Sequence, residues 1–283
     1  MNKIVFVIDS GADVPQSVAD RRGFKIVRMH TTMGTDTFND GEFPVQELFA
    51  YYKNHGQLPK TSASTPDDFA RAYDAIRSEN PDAHIVYLAY SAATTAAFQS
   101  AKIAAEPYEN ITLIDTQFVS AGQAAVIYHI ADLVDANPAM TPDEIVREVE
   151  AFRKRLHMLF IPGDLQYLKA GGRLSNAGYV GAKLLSLHPR IELVDGLLVC
   201  TCKYRGSQHR VYLRMLQEYI ESRQLNRDRF YLIESHSLAP ALKAQAESIV
   251  RAAGFKKIEW IQTGGVVSVH CGPGSFGLVC VDA

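Results

Sequence analysis

The sequence predicts an α/β protein of two lobes: an N-terminal lobe with a doubly wound, mainly parallel sheet, and a C-terminal α+β lobe with a mixed sheet. Three observations predict it. Short β-branched runs alternate with helical segments from Lys3 to Asp135, and each passage from strand to helix carries a hydroxyl or an aspartate. A break at Ala136-Asn137-Pro138 and a new helix start at Thr141-Pro142-Asp143-Glu144 then divide the chain, which places the lobes at 1–157 and 158–283. Beyond the division, Asp195-Gly196 within RIELVDGLLVCTC is a hairpin signal, so antiparallel pairs join the second sheet.

In order, Lys3–Ile8 reads as a buried strand ending in Asp9-Ser10, which cap the next segment. Pro15 opens a short helix that stops at Gly23. Phe24–Met29 is the next strand, Thr31–Glu42 a polar connection and Val45–His55 a helix, with a loop from Gly56 to Pro59. In TSASTPDDF, Ser64 or Thr65 caps a helix with Pro66 at its first position and two acids in its first turn; it runs to about Glu79. The stretch IVYLAYSAATTAAFQSA, from Ile85 to Ala101, leaves a strand through Ser91, Thr94 and Thr95 for an alanine-rich helix. Such a passage turns free N–H groups and a positive dipole end toward an anion, though a plain cap at Ser91 or Thr94 accounts for the same residues. Ile111–Ile114, Asp115-Thr116 and a helix from Ser120 to Asp135 repeat the pattern.

In the second lobe, Met158–Pro162 is a strand, and GDLQYLKAGGRLS joins a helical turn, a double glycine and Arg173 to a helix ending at Leu187. After the hairpin come helices at Gln208–Arg223 and Ala239–Ala253, strands at Phe230–Ser235 and Ile258–Gln262, and two last strands flanking His270-Cys271-Gly272-Pro273-Gly274.

Composition narrows the function. With 47% hydrophobic and 21% charged residues and a formal net charge of -2, the 283-residue chain has neither the basic balance nor the basic runs of a nucleic-acid binder. Residues 83–101 carry no Asp, Glu, Lys or Arg, but their Ser, Thr and Gln and their strand-then-helix punctuation argue against a membrane span. The N-terminus runs straight into a strand without the apolar core of a signal peptide, so a cytoplasmic protein is expected. Cys200, Cys202, Cys271 and Cys280 follow no disulfide framework; buried thiols are expected, with no zinc site and no other metal.

Gly272, Gly274 and Gly277 form G-x-G-x-x-G, but only a strand comes after them, so the match is accidental; a Walker A sequence is absent, and no cofactor is expected. Without a G-x-S-x-G elbow, a hydrolase or transferase would use Ser91 or Ser10 with His270 as base. The ring of His270, before a Gly-Pro-Gly bend, either satisfies nearby backbone groups or donates to an anionic headgroup. Arg173 reads as an inter-lobe ion pair and Arg205 as a solvated side chain.

Seven segments resemble, in order and across essentially the whole chain, the DegV family of bacterial fatty-acid-binding proteins. They are VIDSGADVP, KTSASTPDDF, YSAATTAAFQSA, LIDTQFVSAG, LQYLKAGGRLS, HPRIELVDG and SVHCGPGSFGL. The resemblance implies one long-chain fatty acid in an apolar tunnel between the lobes. It further implies a non-catalytic carrier subunit that presents the carboxylate to a separate ATP-binding fatty-acid kinase subunit for acyl-phosphate formation. The family's headgroup threonine falls on Thr61, the serine of its L-S-G-T turn on Thr95 and its histidine on His270. Its kinase-engaging arginine falls on Arg205, with Arg173 in the same partner and headgroup network, and Ser62 joins Thr61, Thr95 and His270 at the carboxylate. The turn reads Thr94-Thr95-Ala96-Ala97 here, and losing its glycine is expected to stiffen it. That departure leaves room for another amphipathic carboxylic acid, such as an isoprenoid or hydroxylated lipid.

These residue types suit the task. Each buried methylene contributes about 0.8 kcal/mol, so a long tail offers on the order of 10 kcal/mol before binding costs, and the headgroup contacts chiefly fix orientation. Hydroxyl donors grip an oxyanion without an ion pair that transfer must break. Phe160, Ile161, Leu165, Leu168, Leu184, Leu185 and Leu187 are candidates for the tail wall or for ordinary core.

Overall fold

The computed structural model describes residues 3–173 and 187–283. The first half of the chain supplies strands β1 (Ile4–Asp9), β2 (Lys25–Val27), β3 (His30–Met33), β4 (Asp36–Asn39), β5 (Lys60–Ser62), β6 (His84–Ala89) and β7 (Ile111–Asp115). Four of them form a parallel sheet in the order β2-β1-β6-β7. The chain moves out from β1 to β2 and returns to the other side of β1, so the winding reverses between β1 and β6, as in a doubly wound sheet.

The second half supplies β8 (Leu156–Ile161), β9 (Leu187–Val194), β10 (Leu197–Arg205), β11 (Arg229–Glu234), β12 (Lys257–Gln262) and β13 (Phe276–Val281). They form a mixed sheet in the order β10-β9-β8-β13-β11-β12, parallel between β11 and β12 and antiparallel elsewhere. Asp195 and Gly196 make the β9–β10 turn at φ 49° and 79°, a pairing that favours a short hairpin.

The helix Ser120–Ala136 joins the two sheets. It is apolar on nearly all sides, with residues 120–128 buried, so it needs partners all round. Phe6, Ile8, Val86 and Leu88 of the parallel sheet and Tyr231, Ile233 and Val279 of the mixed sheet share one core with it. Gly122 permits that closeness, since a Cβ there would lie 2.7 Å from Phe118 and 2.9 Å from the Met158 sulfur. Elsewhere, capping boxes open the helices Pro66–Glu79 and Pro142–Arg153, with Thr65 and Thr141 as the caps.

Several local expectations are corrected. Phe24–Met29 is not one strand: β2 ends at Val27, and the residues expected as a polar connection supply β3 and β4, which join β5 in a third, antiparallel sheet in the order β4-β3-β5. Its strands are three or four residues long and mostly half-exposed, which leaves too little alternation to read. The residues before the Gly-Pro-Gly bend form the helix Gly265–Cys271, not a strand. Asp9 makes no side-chain cap; its carboxylate accepts from Tyr87 Oη at 2.7 Å, Tyr90 N–H at 2.7 Å and Gln123 Nε2 at 3.0 Å. Burial pushes that carboxyl up to about 6. Cys200 is exposed and Cys202 half-buried, because β10 is an edge strand exposed along most of its length, whereas Cys271 and Cys280 are buried. The helix expected before Leu187, with Leu184 and Leu185, lies outside the described residues. Among the described residues no helix is long and apolar enough to cross a membrane.

Candidate functional site

A pocket of about 850 Å³, its open mouth included, lies between the carboxyl ends of the parallel strands and one face of the mixed sheet. Thr61-Ser62-Ala63, Tyr90, Thr94, Thr95 and Ser120 line it from the first half of the chain. Met158, Phe160, Leu168, Leu198, Ile233, Val266, Val267 and His270 line it from the second. Arg173 is the one formally charged side chain among the described lining residues.

The polar end of this pocket is built from distant pieces. Pairing of β5 with β3 sets Thr61 opposite Thr31, and the last turn of the helix Gly265–Cys271 carries His270. Thr61 Oγ1 and His270 Nε2 are 2.8 Å apart. Burial, and secondarily the Arg173 guanidinium, push the imidazole down to about 4, so the ring is neutral at pH 7. Its Nδ1 is buried and has no hydrogen-bond partner among the described residues. Gly171 lies against that nitrogen: a Cβ there would come within 2.1 Å of it.

Thr95 Oγ1 accepts from Ala97 N–H at 3.4 Å, which leaves its own hydrogen free to donate. Thr94 is committed locally, its hydroxyl donating to Ser91 O at 3.0 Å. Ala96, where the family turn has glycine, has φ -82° and ψ 0°. That conformation is open to any L residue, so the expected stiffening does not come from a forced left-handed turn. Ser62 stands exposed on the pocket rim.

The other expected residues divide. Arg173 is at the pocket, where Nη1 donates to Gly171 O and Nη2 to Thr94 O at 2.9 Å, a tie between segments by hydrogen bonds and not the expected ion pair. Arg205 ends β10, exposed and away from the pocket wall. Ser91 is fully buried and donates to Gly196 O at 2.7 Å, while Ser10 Oγ accepts from Met29 N–H at 3.1 Å. Neither serine meets His270, so the nucleophile–base pair weighed from the sequence is not assembled. Phe160 and Leu168 line the pocket; Ile161 belongs to the core behind the sheet, and Leu165 and Leu187 are not on the pocket wall.

Sequence reasoning missed Met29, Tyr90 and Met158, whose spacing is that of ordinary core. Gly171 carried a readable signal, a double glycine that lets backbone approach closely, but nothing local names His270 as its neighbour. Among the described residues no group of three His, Cys, Asp or Glu gathers as a metal site.

A family model described as "Uncharacterised protein, DegV family" matches residues 3–283. A DegV domain-containing protein of Clostridium perfringens is 27% identical over 98% of this chain and 97% of its own. The structure of a fatty-acid-binding DegV-family protein from Thermus thermophilus aligns with a TM-score of 0.85 at 26% identity, covering 99% of this chain and 100% of that one. The fatty acid kinase B3 protein of Streptococcus pneumoniae, solved loaded with linoleic acid, aligns at 0.84 and 17% identity over 100% of both chains, which shows a shared fold. With its sequence matched from residue 3 to its last residue and its fold shared with these relatives, the chain belongs to the DegV family.

Proposed function

We propose that the protein binds one long-chain fatty acid, its tail in the apolar pocket and its carboxylate at the Thr61–His270 end. The observation that carries this reading is a neutral, half-buried imidazole paired with a hydroxyl in a mostly apolar cavity. An unpartnered buried acceptor costs less than an unpartnered N–H, so the ring proton belongs on Nε2, donated to Thr61 Oγ1. The Thr61 hydroxyl hydrogen is then free for the ligand, and Thr95 and Ser62 add further donors. Arg173 places its positive charge at the mouth. The Thermus thermophilus relative, which binds fatty acid, supports the ligand class.

The same reading divides the chain into lobes 1–157 and 158–283 with the acid between them. It makes the protein a cytoplasmic carrier without catalysis or cofactor of its own. The Streptococcus pneumoniae neighbour supports a finer step, presentation of the carboxylate to an ATP-binding kinase subunit, with exposed Arg205 toward that partner. The test mixes the protein, oleate, ATP and a bacterial fatty-acid kinase subunit. Acyl phosphate that needs both proteins supports the full reading. Oleate binding without acyl phosphate removes the kinase step, and no binding removes the carrier.

A further inference from the structure

The helix that carries His270 has seven residues, and two buried carboxylates hold its start. Asp13 Oδ1 accepts from Gly264 N–H at 2.7 Å, and Asp40 Oδ1 accepts from Val266 N–H at 3.2 Å. Both acids are anchored from the first half of the chain. The Ser120 hydroxyl, on the pocket wall, is hydrogen-bonded to Asp13 Oδ2, and Asp40 N–H donates to Met29 O at 2.8 Å. The paired glycines at the helix start make room for this clamp. A Cβ at Gly264 would sit 3.0 Å from Asp13 Oδ1, and one at Gly265 would sit 2.7 Å from Asp40 Oδ1. Seven residues rise only about 10 Å, so fixing the first turn fixes the last.

We propose that Asp13 and Asp40 are positioning residues for His270, gripping the first turn of its helix so that the ring meets Thr61 at the headgroup end of the pocket. The proposal rests on the reading of that end as a carboxylate site. Asp13 is suited to the place. Its φ of 56° is a left-handed conformation that a short polar side chain tolerates. Burial, with Asp40 close by, pushes its carboxyl up to about 8, so near neutrality one oxygen accepts from Gly264 and the other shares a proton with Ser120 Oγ. Asparagine offers the same acceptor and donor, and alanine offers neither.

The experiment compares wild type, Asp13→Asn and Asp13→Ala by the ring-nitrogen NMR signals of His270 without ligand and by the Kd for oleate. The signals should shift in Asp13→Ala and its Kd rise by about tenfold, while Asp13→Asn keeps the wild-type signals and stays within about threefold. Unshifted signals in a folded Asp13→Ala, or an asparagine variant as impaired as alanine, overturns the proposal. Should Asp13→Ala fail to fold, Gly265→Ala replaces it, because its Cβ meets Asp40: shifted His270 signals support the clamp and unshifted ones overturn it. Wild type that ignores oleate defeats the pocket reading, while the ligand-free histidine signals judge the clamp by itself.

Discussion

Thr61 Oγ1 stands 2.8 Å from His270 Nε2 although 209 residues separate them. One side chain comes from an edge strand of three residues, the other from the last turn of a short helix, and neither element defines the site alone. Their meeting makes a neutral donor pair at the end of a cavity walled by both sheets.

Replacing Thr61 by Val removes the donor and strands Nε2 of His270. A hydrogen bond to a charged group contributes about 1.5–3 kcal/mol, so fatty-acid affinity should fall about 10- to 100-fold by calorimetry. Thr61→Ser keeps the hydroxyl and should lose far less. Equal affinity for Val and wild type removes Thr61 from the headgroup site.

Gly171 has φ -74°, which alanine adopts freely, so any effect of Gly171→Ala comes from the contact with His270 Nδ1 and not from the backbone. The added methyl displaces the ring from Thr61. Fatty-acid binding should weaken about as much as in His270→Ala, and an unimpaired Gly171→Ala contradicts the placement of the ring.

Ser91→Ala takes the donor from Gly196 O where the β9–β10 turn meets the loop after β6. Urea denaturation should show a loss of about 1 kcal/mol. Because the Ser91 hydroxyl is buried and committed, a fluorophosphonate probe should leave wild type unlabelled; labelling at Ser91 revives the hydrolase reading.

The pH dependence of stability carries the mark of Asp13, which burial pushes up to about 8 from an ordinary 3.8. Between about pH 4 and pH 8 the unfolded chain has lost a proton that the folded chain keeps, so this group's contribution falls as pH rises through that window. Asparagine has no such proton. The stability of Asp13→Asn relative to wild type should therefore increase from pH 5 to pH 8; a difference flat with pH contradicts a buried neutral acid. The low pKa of His270 acts below its ordinary value in both chains and cancels from the comparison.

The strands β1, β6 and β7, the helix starts at Pro66 and Pro142 and the Asp195-Gly196 turn were legible because each is decided within a few residues. The helix Gly265–Cys271 was not. Its three valines favour a strand, and the groups that overrule them, Asp13 and Asp40, lie 251 and 226 residues from the N–H groups they hold. The hydroxyls of Thr61 and Thr95 became site residues through family resemblance, since in isolation they are ordinary strand and turn residues. Ser91 reads as a helix cap, and its true partner, Gly196 O, appears only once the hairpin has docked.

The most direct measurement is native mass spectrometry of the purified protein, with extraction and identification of any lipid and then titration with oleate. One long-chain fatty acid per chain, released on denaturation, is the predicted result. Protein that is repeatedly found at its bare mass and takes up no added oleate contradicts the account.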